Sequence, residues 1–174
     1  MSGVILYQSK YGATKRYADW LSEGTGFKCI ETKKADINEI TTYDYVILGG
    51  GVYASGIAGL SFLKKNINKL KGKKVILFCC GASQYDENAF QQIKEHNLKD
   101  SLPDIPVFYC RGSLDIDAMS FKDRILCKLL IKATIKKDPS DYEIWEKALM
   151  EARGGKCDWT DKKYIEPILE CIKR

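Results

Sequence analysis

The sequence has one histidine, no Cys-x-x-Cys pair, and no apolar run near the roughly 20 residues of a membrane-spanning helix. Each absence removes a class of function. His96 lies near the end of a polar stretch, Gln91–Leu98, where it reads as a charge at a helix C-terminus. With no other histidine, neither a Ser-His-Asp nor a Cys-His arrangement is available, and no catalytic side chain is assigned. Cys29, Cys110, Cys127, Cys157 and Cys171 are spaced without a ligand pair, so no metal site is expected. Cys79 and Cys80 are neighbours in a strand-like run. They point to opposite faces and read as buried thiols rather than a disulfide. Seven cysteines cannot all pair internally, and a chain this long has no need of covalent staples, so free thiols in a reducing cytosol are expected. Met1-Ser2-Gly3 leads directly into the first strand, so no signal peptide is expected. The Gly-x-x-x-x-Gly-Lys-Ser/Thr cradle of ATP-type sites and the Gly-x-Gly-x-x-Gly dinucleotide fingerprint are both missing. The net charge of +5 is mild, and no nucleic-acid partner is expected.

What is present is 174 residues, 45% apolar and 29% charged, enough for one domain (1–174) with a substantial core. Strand-like and helix-like patterns alternate. Val4–Tyr7, Phe27–Ile30, Tyr45–Leu48, Val75–Cys80 and Val107–Cys110 read as strands, the last introduced by Pro103 and Pro106. Helices are expected from Thr14 to about Glu23, over Leu60–Leu70, over Asn88–Leu98, and from about Asp161 to Ile172. Pro167 would kink that last helix or delay its start. Val75–Cys80 is continuously apolar, which implies a strand covered on both faces. The β-α-β alternation implies an α/β three-layer sandwich: five parallel strands in the order 2-1-3-4-5, with helices on both faces. Residues 112–159 break the alternation and read as a helical insertion after strand 5. Within it, Ser120 is placed to cap a helix through Lys137, and Tyr142–Arg153 forms another, ended by Gly154-Gly155.

In such a sheet a ligand sits beyond the carboxyl ends of the strands, beside the first. Three segments converge there. Ser9-Lys10-Tyr11-Gly12-Ala13-Thr14 joins the first strand to the first helix. It combines hydroxyls, a glycine and a helix N-terminus, which suits the three free oxygens of a phosphate monoester. The alternative is a plain capped helix with Thr14 as N-cap. Gly49-Gly50-Gly51-Val52-Tyr53-Ala54-Ser55-Gly56 follows the third strand, with glycines for close approach of a flat ligand and Tyr53 for stacking on it. Gly81-Ala82-Ser83-Gln84-Tyr85 adds amides and a further aromatic ring. Asp86 and Glu87 read as caps of the helix that follows.

Tyr7-Gln8-Ser9-Lys10-Tyr11-Gly12-Ala13-Thr14, taken with Gly49-Gly50-Gly51-Val52-Tyr53, resembles the flavodoxin family over nearly the whole chain. The resemblance implies a flavodoxin-like fold and non-covalently bound FMN. The phosphate would lie on Ser9, Lys10, Tyr11, Gly12, Ala13 and Thr14. The isoalloxazine would lie between Gly50, Gly51, Val52, Tyr53 and Ala54 on one side and Cys80, Gly81, Ala82, Ser83 and Tyr85 on the other. A closer resemblance is to a subgroup that includes the bacterial quinone-dependent protoporphyrinogen dehydrogenases. It rests on Leu60–Asn66 after the glycine segment, on the basic run Asp123–Lys132, and on Asp158-Trp159 before the last helix. The insertion is longer than in that subgroup, and Gly112–Asp117 lacks its aromatic and arginine residues. Three functions follow: electron transfer between a reduced donor and a quinone or protein acceptor, a protoporphyrinogen dehydrogenase using FMN and menaquinone, or a non-catalytic binding module that has lost flavin.

Residues 120–137 hold Lys122, Arg124, Lys128, Lys132, Lys136 and Lys137 against Asp123, a net +5 equal to that of the whole chain. A basic amphipathic helix of this kind suits the anionic inner face of a membrane, where quinones reside. The competing expectation is a helix with its apolar face on the sheet and its lysines in water. Localisation is expected to be cytoplasmic, with or without peripheral membrane contact.

Overall fold

The structure, a computed structural model, describes residues 2–99, 102 and 104–173. Pro103, expected to introduce the fifth strand, lies outside the described residues. In chain order the strands are β1 (Gly3–Gln8), β2 (Lys28–Glu31), β3 (Tyr45–Tyr53), the two-residue β4 (Gly56–Ile57), β5 (Lys74–Gly81), β6 (Val107–Arg111), β7 (Ser113–Asp115) and β8 (Lys156–Asp158). The helices are α1 (Ala13–Thr25), α2 (Ile37–Ile40), α3 (Leu60–Asn66), α4 (Glu87–Leu98), α5 (Phe121–Thr134), α6 (Ile144–Glu151) and α7 (Glu166–Lys173).

Alternate residues of the strands feed two separate cores, and this makes the layers. Val4, Leu6, Val46, Leu48, Leu77 and Cys79 face α3 and α4 through Leu60, Leu63, Phe90 and Leu98. Ile5, Ile47, Ile76, Phe78 and Cys80 face α1 and α7 through Tyr17, Leu21, Ile168 and Ile172. Five parallel strands run β2-β1-β3-β5-β6, the expected order, because strands buried on both faces need helices above and below. Cys79 and Cys80 point into opposite cores, and all seven cysteines are free.

Local chemistry sets several boundaries. Asp86 caps α4 by accepting from the Ala89 amide at 2.9 Å, and Ser120 caps α5 by accepting from the Asp123 amide at 3.4 Å. Pro167 delays the last helix rather than kinking it. A 3-10 turn (Lys162–Ile165) capped by Asp161 precedes α7, and Pro167 is its second residue, where no amide is required.

Three expectations need correction. First, β3 does not stop at Leu48; it continues through Gly49-Gly50-Gly51 to Tyr53, turns at Ala54-Ser55, and pairs antiparallel with β4. Second, the helix expected through Lys137 ends at Thr134, and that expected over Tyr142–Arg153 is shorter, at Ile144–Glu151. Third, the insertion is not purely helical: β7 and β8 pair antiparallel and close it at its base.

Candidate functional site

At the end of β1, the Ser9 hydroxyl accepts from the Gly12 amide at 3.0 Å and folds the segment back on itself. Gly12 is the N-cap of α1 at φ +96°, with open space where a Cβ would stand. That φ strains any L side chain, which accounts for glycine here. No side chain caps the helix and no acidic residue lies in its first turn. The first-turn amides therefore have no intrahelical partner and sit at the positive end of the helix dipole. Thr14 is not the N-cap. It lies inside the first turn, 2% exposed, with its hydroxyl against the Cys80 thiol. Burial pushes that thiol up to about 12, with the Thr14 hydroxyl pulling the other way.

The glycines after Leu48 make room for the protein's own groups. None of the three has positive φ. A Cβ on Gly49 would stand 2.1 Å from Phe78, one on Gly50 2.2 Å from the Ala58 carbonyl oxygen, and one on Gly51 2.6 Å from the Tyr53 hydroxyl. The space they leave is filled by the protein's own groups. The turn beyond them is a two-residue hairpin with Ala54 at φ 46° and Ser55 at φ 66°, a type I′ geometry that usually takes Asn or Gly. Buried Asn97 holds this strained turn. Its Oδ1 accepts from the Ile57 amide at 3.0 Å, and its Nδ2 donates to the Ser55 carbonyl at 2.7 Å. The hairpin sets Tyr53 over the first loop. The Lys10 amide donates to the Tyr53 hydroxyl at 3.2 Å, and the rings of Tyr11 and Tyr53 meet edge to face at 6.4 Å.

The third segment is tied to the insertion. The Tyr109 hydroxyl donates to the Ser83 carbonyl at 2.7 Å and fills the place of a Cβ on Gly81. Arg111 Nε donates to the Ala82 carbonyl at 3.1 Å, while its guanidinium stacks on Trp159 at 4.2 Å and pairs with Glu151 at 3.2 Å. Tyr85 turns away toward Phe90 and Tyr109 and is 51% exposed.

These segments border one cleft of about 380 Å³, within the span of small-molecule sites. Of the expected residues it is lined by Ser9, Lys10, Tyr11, Ala13, Thr14, Gly51, Val52, Tyr53, Ala54, Cys80, Gly81 and Ala82. Gly12, Gly50, Ser83 and Tyr85 do not line it. Its other wall, absent from the sequence-based expectation, comes from the insertion: Leu114, Met119, Asp123, Leu126 and Cys127. The Asp123 carboxylate accepts from Lys10 Nζ and from the Tyr11 hydroxyl, and the Ser120 amide donates to that hydroxyl at 3.4 Å. The Lys10 ammonium, then the Tyr11 hydroxyl, hold the Asp123 carboxyl below its usual range. No sequence signal places Asp123 here, because the contact spans more than 110 residues. Among the described residues no cluster of His, Cys, Asp and Glu could hold a metal, and no helix is long and apolar enough to cross a membrane.

The family described as Flavodoxin domain matches residues 4–143. Solved structures similar to this chain include the two-electron reduced flavodoxin of Megasphaera elsdenii, 20% identical over 62% of this chain and 82% of that one, with a TM-score of 0.46. Flavodoxin 2 of Bacillus cereus is 22% identical over 56% and 76%, with a TM-score of 0.42. A flavodoxin variant of Fusobacterium nucleatum, bound to flavin mononucleotide, is 19% identical over 69% and 73%, with a TM-score of 0.41. No curated protein matches.

Proposed function

This chain belongs to the flavodoxin-domain family, and from that premise we propose that it is an FMN-binding redox protein passing electrons between a reduced donor and a quinone or protein acceptor. The observation that carries the proposal is the shared cleft: the uncapped N-terminus of α1, the Tyr53 hairpin and the Cys80–Ala82 segment all open onto it. The donor set suits a phosphate monoester, since the first-turn amides of α1 and the Ser9 hydroxyl need acceptors and no acidic side chain of that turn supplies one. Room for the ring comes from the space between Tyr53 and the insertion, which Gly51 and Gly81 also border and Gly50 does not. Bound FMN would supply the chemistry by taking up and releasing one or two electrons. The chain would orient the ring with Tyr53 and shield it from water with Leu114, Met119 and Leu126. Fluorescence titration of FMN into the apo protein tests this. Saturable binding at micromolar concentration or below is expected; its absence refutes the proposal and leaves the non-catalytic module.

Within this function, the apolar wall supplied by the insertion favours a dehydrogenase for a flat organic substrate, of the kind that protoporphyrinogen enzymes with FMN and menaquinone represent. Anaerobic mixing with protoporphyrinogen IX and a menaquinone analogue separates the readings. A dehydrogenase forms porphyrin at a quinone-dependent rate, and an electron shuttle does not.

The outer face of α5 supports a quinone acceptor at the inner face of an anionic membrane, with the chain cytoplasmic and peripheral. Phe121, Ile125, Leu129 and Ile135 are 43–76% exposed rather than packed on the sheet. Lys122, Lys128, Lys132 and Lys136 interleave with them on the same arc, exposed and without ion pairs among the described residues. A face of alternating apolar side chains and lysines, with no acidic residue, matches the boundary between acyl chains and anionic headgroups.

A further inference from the structure

The residues holding a ligand's phosphate would be expected to keep negative charge away from it, yet Asp123 lines the same cleft as Ser9, Tyr11 and Thr14. It is not a bystander. Its carboxylate takes two polar side chains of the loop, Lys10 Nζ and the Tyr11 hydroxyl, and leaves the Ser9 hydroxyl to the Gly12 amide. The placement is built by α5 itself: Ser120 caps the helix, Asp123 is in its first turn, and the Ser120 amide also reaches the Tyr11 hydroxyl. Lys10 is the one basic side chain lining the cleft among the described residues, and Asp123 the one acidic side chain, so they balance each other. A ligand that brings a terminal phosphate must share Lys10 with a carboxylate already paired to it. A ligand with the same ring and no phosphate meets no such competition.

We propose that Asp123 is a specificity-determining residue of the cleft, a resident anion that competes with a ligand's terminal phosphate for Lys10 and so tunes how strongly the cleft prefers phosphorylated flavin. The proposal rests on the flavin reading above. Asp123 weakens FMN and leaves riboflavin, which lacks the phosphate, untouched. Because the Asp123 and Lys10 side chains are 31% and 48% exposed, water screens the competition and keeps it modest.

The test compares wild type with Asp123→Asn, which keeps an acceptor for Lys10 and Tyr11 and removes the charge. FMN and riboflavin are titrated into each by fluorescence, at low and at high salt. The expected result is an FMN Kd lowered about fivefold to tenfold in Asp123→Asn, the scale of one like charge in water-like surroundings. The riboflavin Kd changes less than twofold, and the FMN gap narrows at high salt. Circular dichroism and the melting temperature establish that the variant is folded; if it is not, Asp123→Ser takes the same titrations. An FMN Kd unchanged or raised overturns the proposal and leaves the flavin reading standing. Equal tightening of FMN and riboflavin overturns it too, since that is a steric lid and not a charge effect. Failure of both flavins to bind either protein refutes the flavin reading, and the proposal with it.

Discussion

Reversing the charge of two lysines on the outer face of α5, Lys128→Glu with Lys132→Glu, should detach the protein from anionic vesicles. Both lysines lie on the exposed arc with Phe121, Ile125 and Leu129, and neither touches the cleft, so the fold and the flavin site should be unaffected. Each lysine near an anionic surface contributes about 1 kcal/mol, so the four on this arc supply about 4 kcal/mol. The double reversal removes about 2 kcal/mol of attraction and adds about as much repulsion. The total of about 4 kcal/mol is roughly a thousandfold in partitioning, at 1.4 kcal/mol per decade. The assay is sedimentation with vesicles containing phosphatidylserine, against neutral vesicles and over a salt series. Net charge is controlled by Lys69→Glu with Lys71→Glu, which makes the same change, from +5 to +1, at exposed positions on the other side of the sequence. Wild type and control should sediment with anionic vesicles and lose binding as salt rises. Equal sedimentation of the α5 variant and wild type would refute the reasoning. So would equal losses in the α5 variant and the control, because net charge rather than this face would then be responsible.

Two further predictions concern the core under the cleft. Gly49→Ala should destabilise the protein by about 1–3 kcal/mol, the usual cost of overpacking, and lower the melting temperature by roughly 3–10 °C, because Phe78 is fully buried and cannot easily retreat. Its FMN affinity should match wild type, since Gly49 opens onto Phe78 and not onto the cleft; unchanged melting would contradict the packing argument. Burial pushes the thiols of Cys79 and Cys80 up to about 12, so neither should alkylate with iodoacetamide at pH 8 before the protein unfolds, while the partly exposed Cys157 should. Mass spectrometry of native labelling checks this, and modification of Cys79 or Cys80 at the rate of Cys157 would reopen a redox role for them.

Features that depend on neighbours in sequence were readable from the chain. The central strands β1, β3 and β5 show as apolar runs because both of their faces are buried, and Asp86, Ser120 and Pro167 act within a turn of their own positions. Gly51, Val52, Tyr53 and Ala54 do border the cleft, but the close packing that Gly49 and Gly50 also serve is not legible locally, because their partners, Phe78 and Ala58, are supplied by β5 and by the hairpin. The β7–β8 ribbon pairs three-residue segments some forty residues apart, too short to carry a periodic signal. Arg111 carries no sequence signal, because Trp159, Glu151 and the Ala82 carbonyl meet it only in the folded chain.

The sequence by itself determined the sheet, its order and a phosphate-suited loop ahead of α1. Alternation of buried runs with helical periodicity and a glycine at a helix start are local patterns, and right-handed crossovers leave few ways to assemble them. Only the tertiary structure decided what surrounds that loop. Helical spacing says which residues share a face of α5, but whether the face is covered, and where Asp123 lands, depends on how the insertion folds back onto the loop after β1. That folding puts a carboxylate on Lys10 and Tyr11 and leaves Phe121, Ile125 and Leu129 in water.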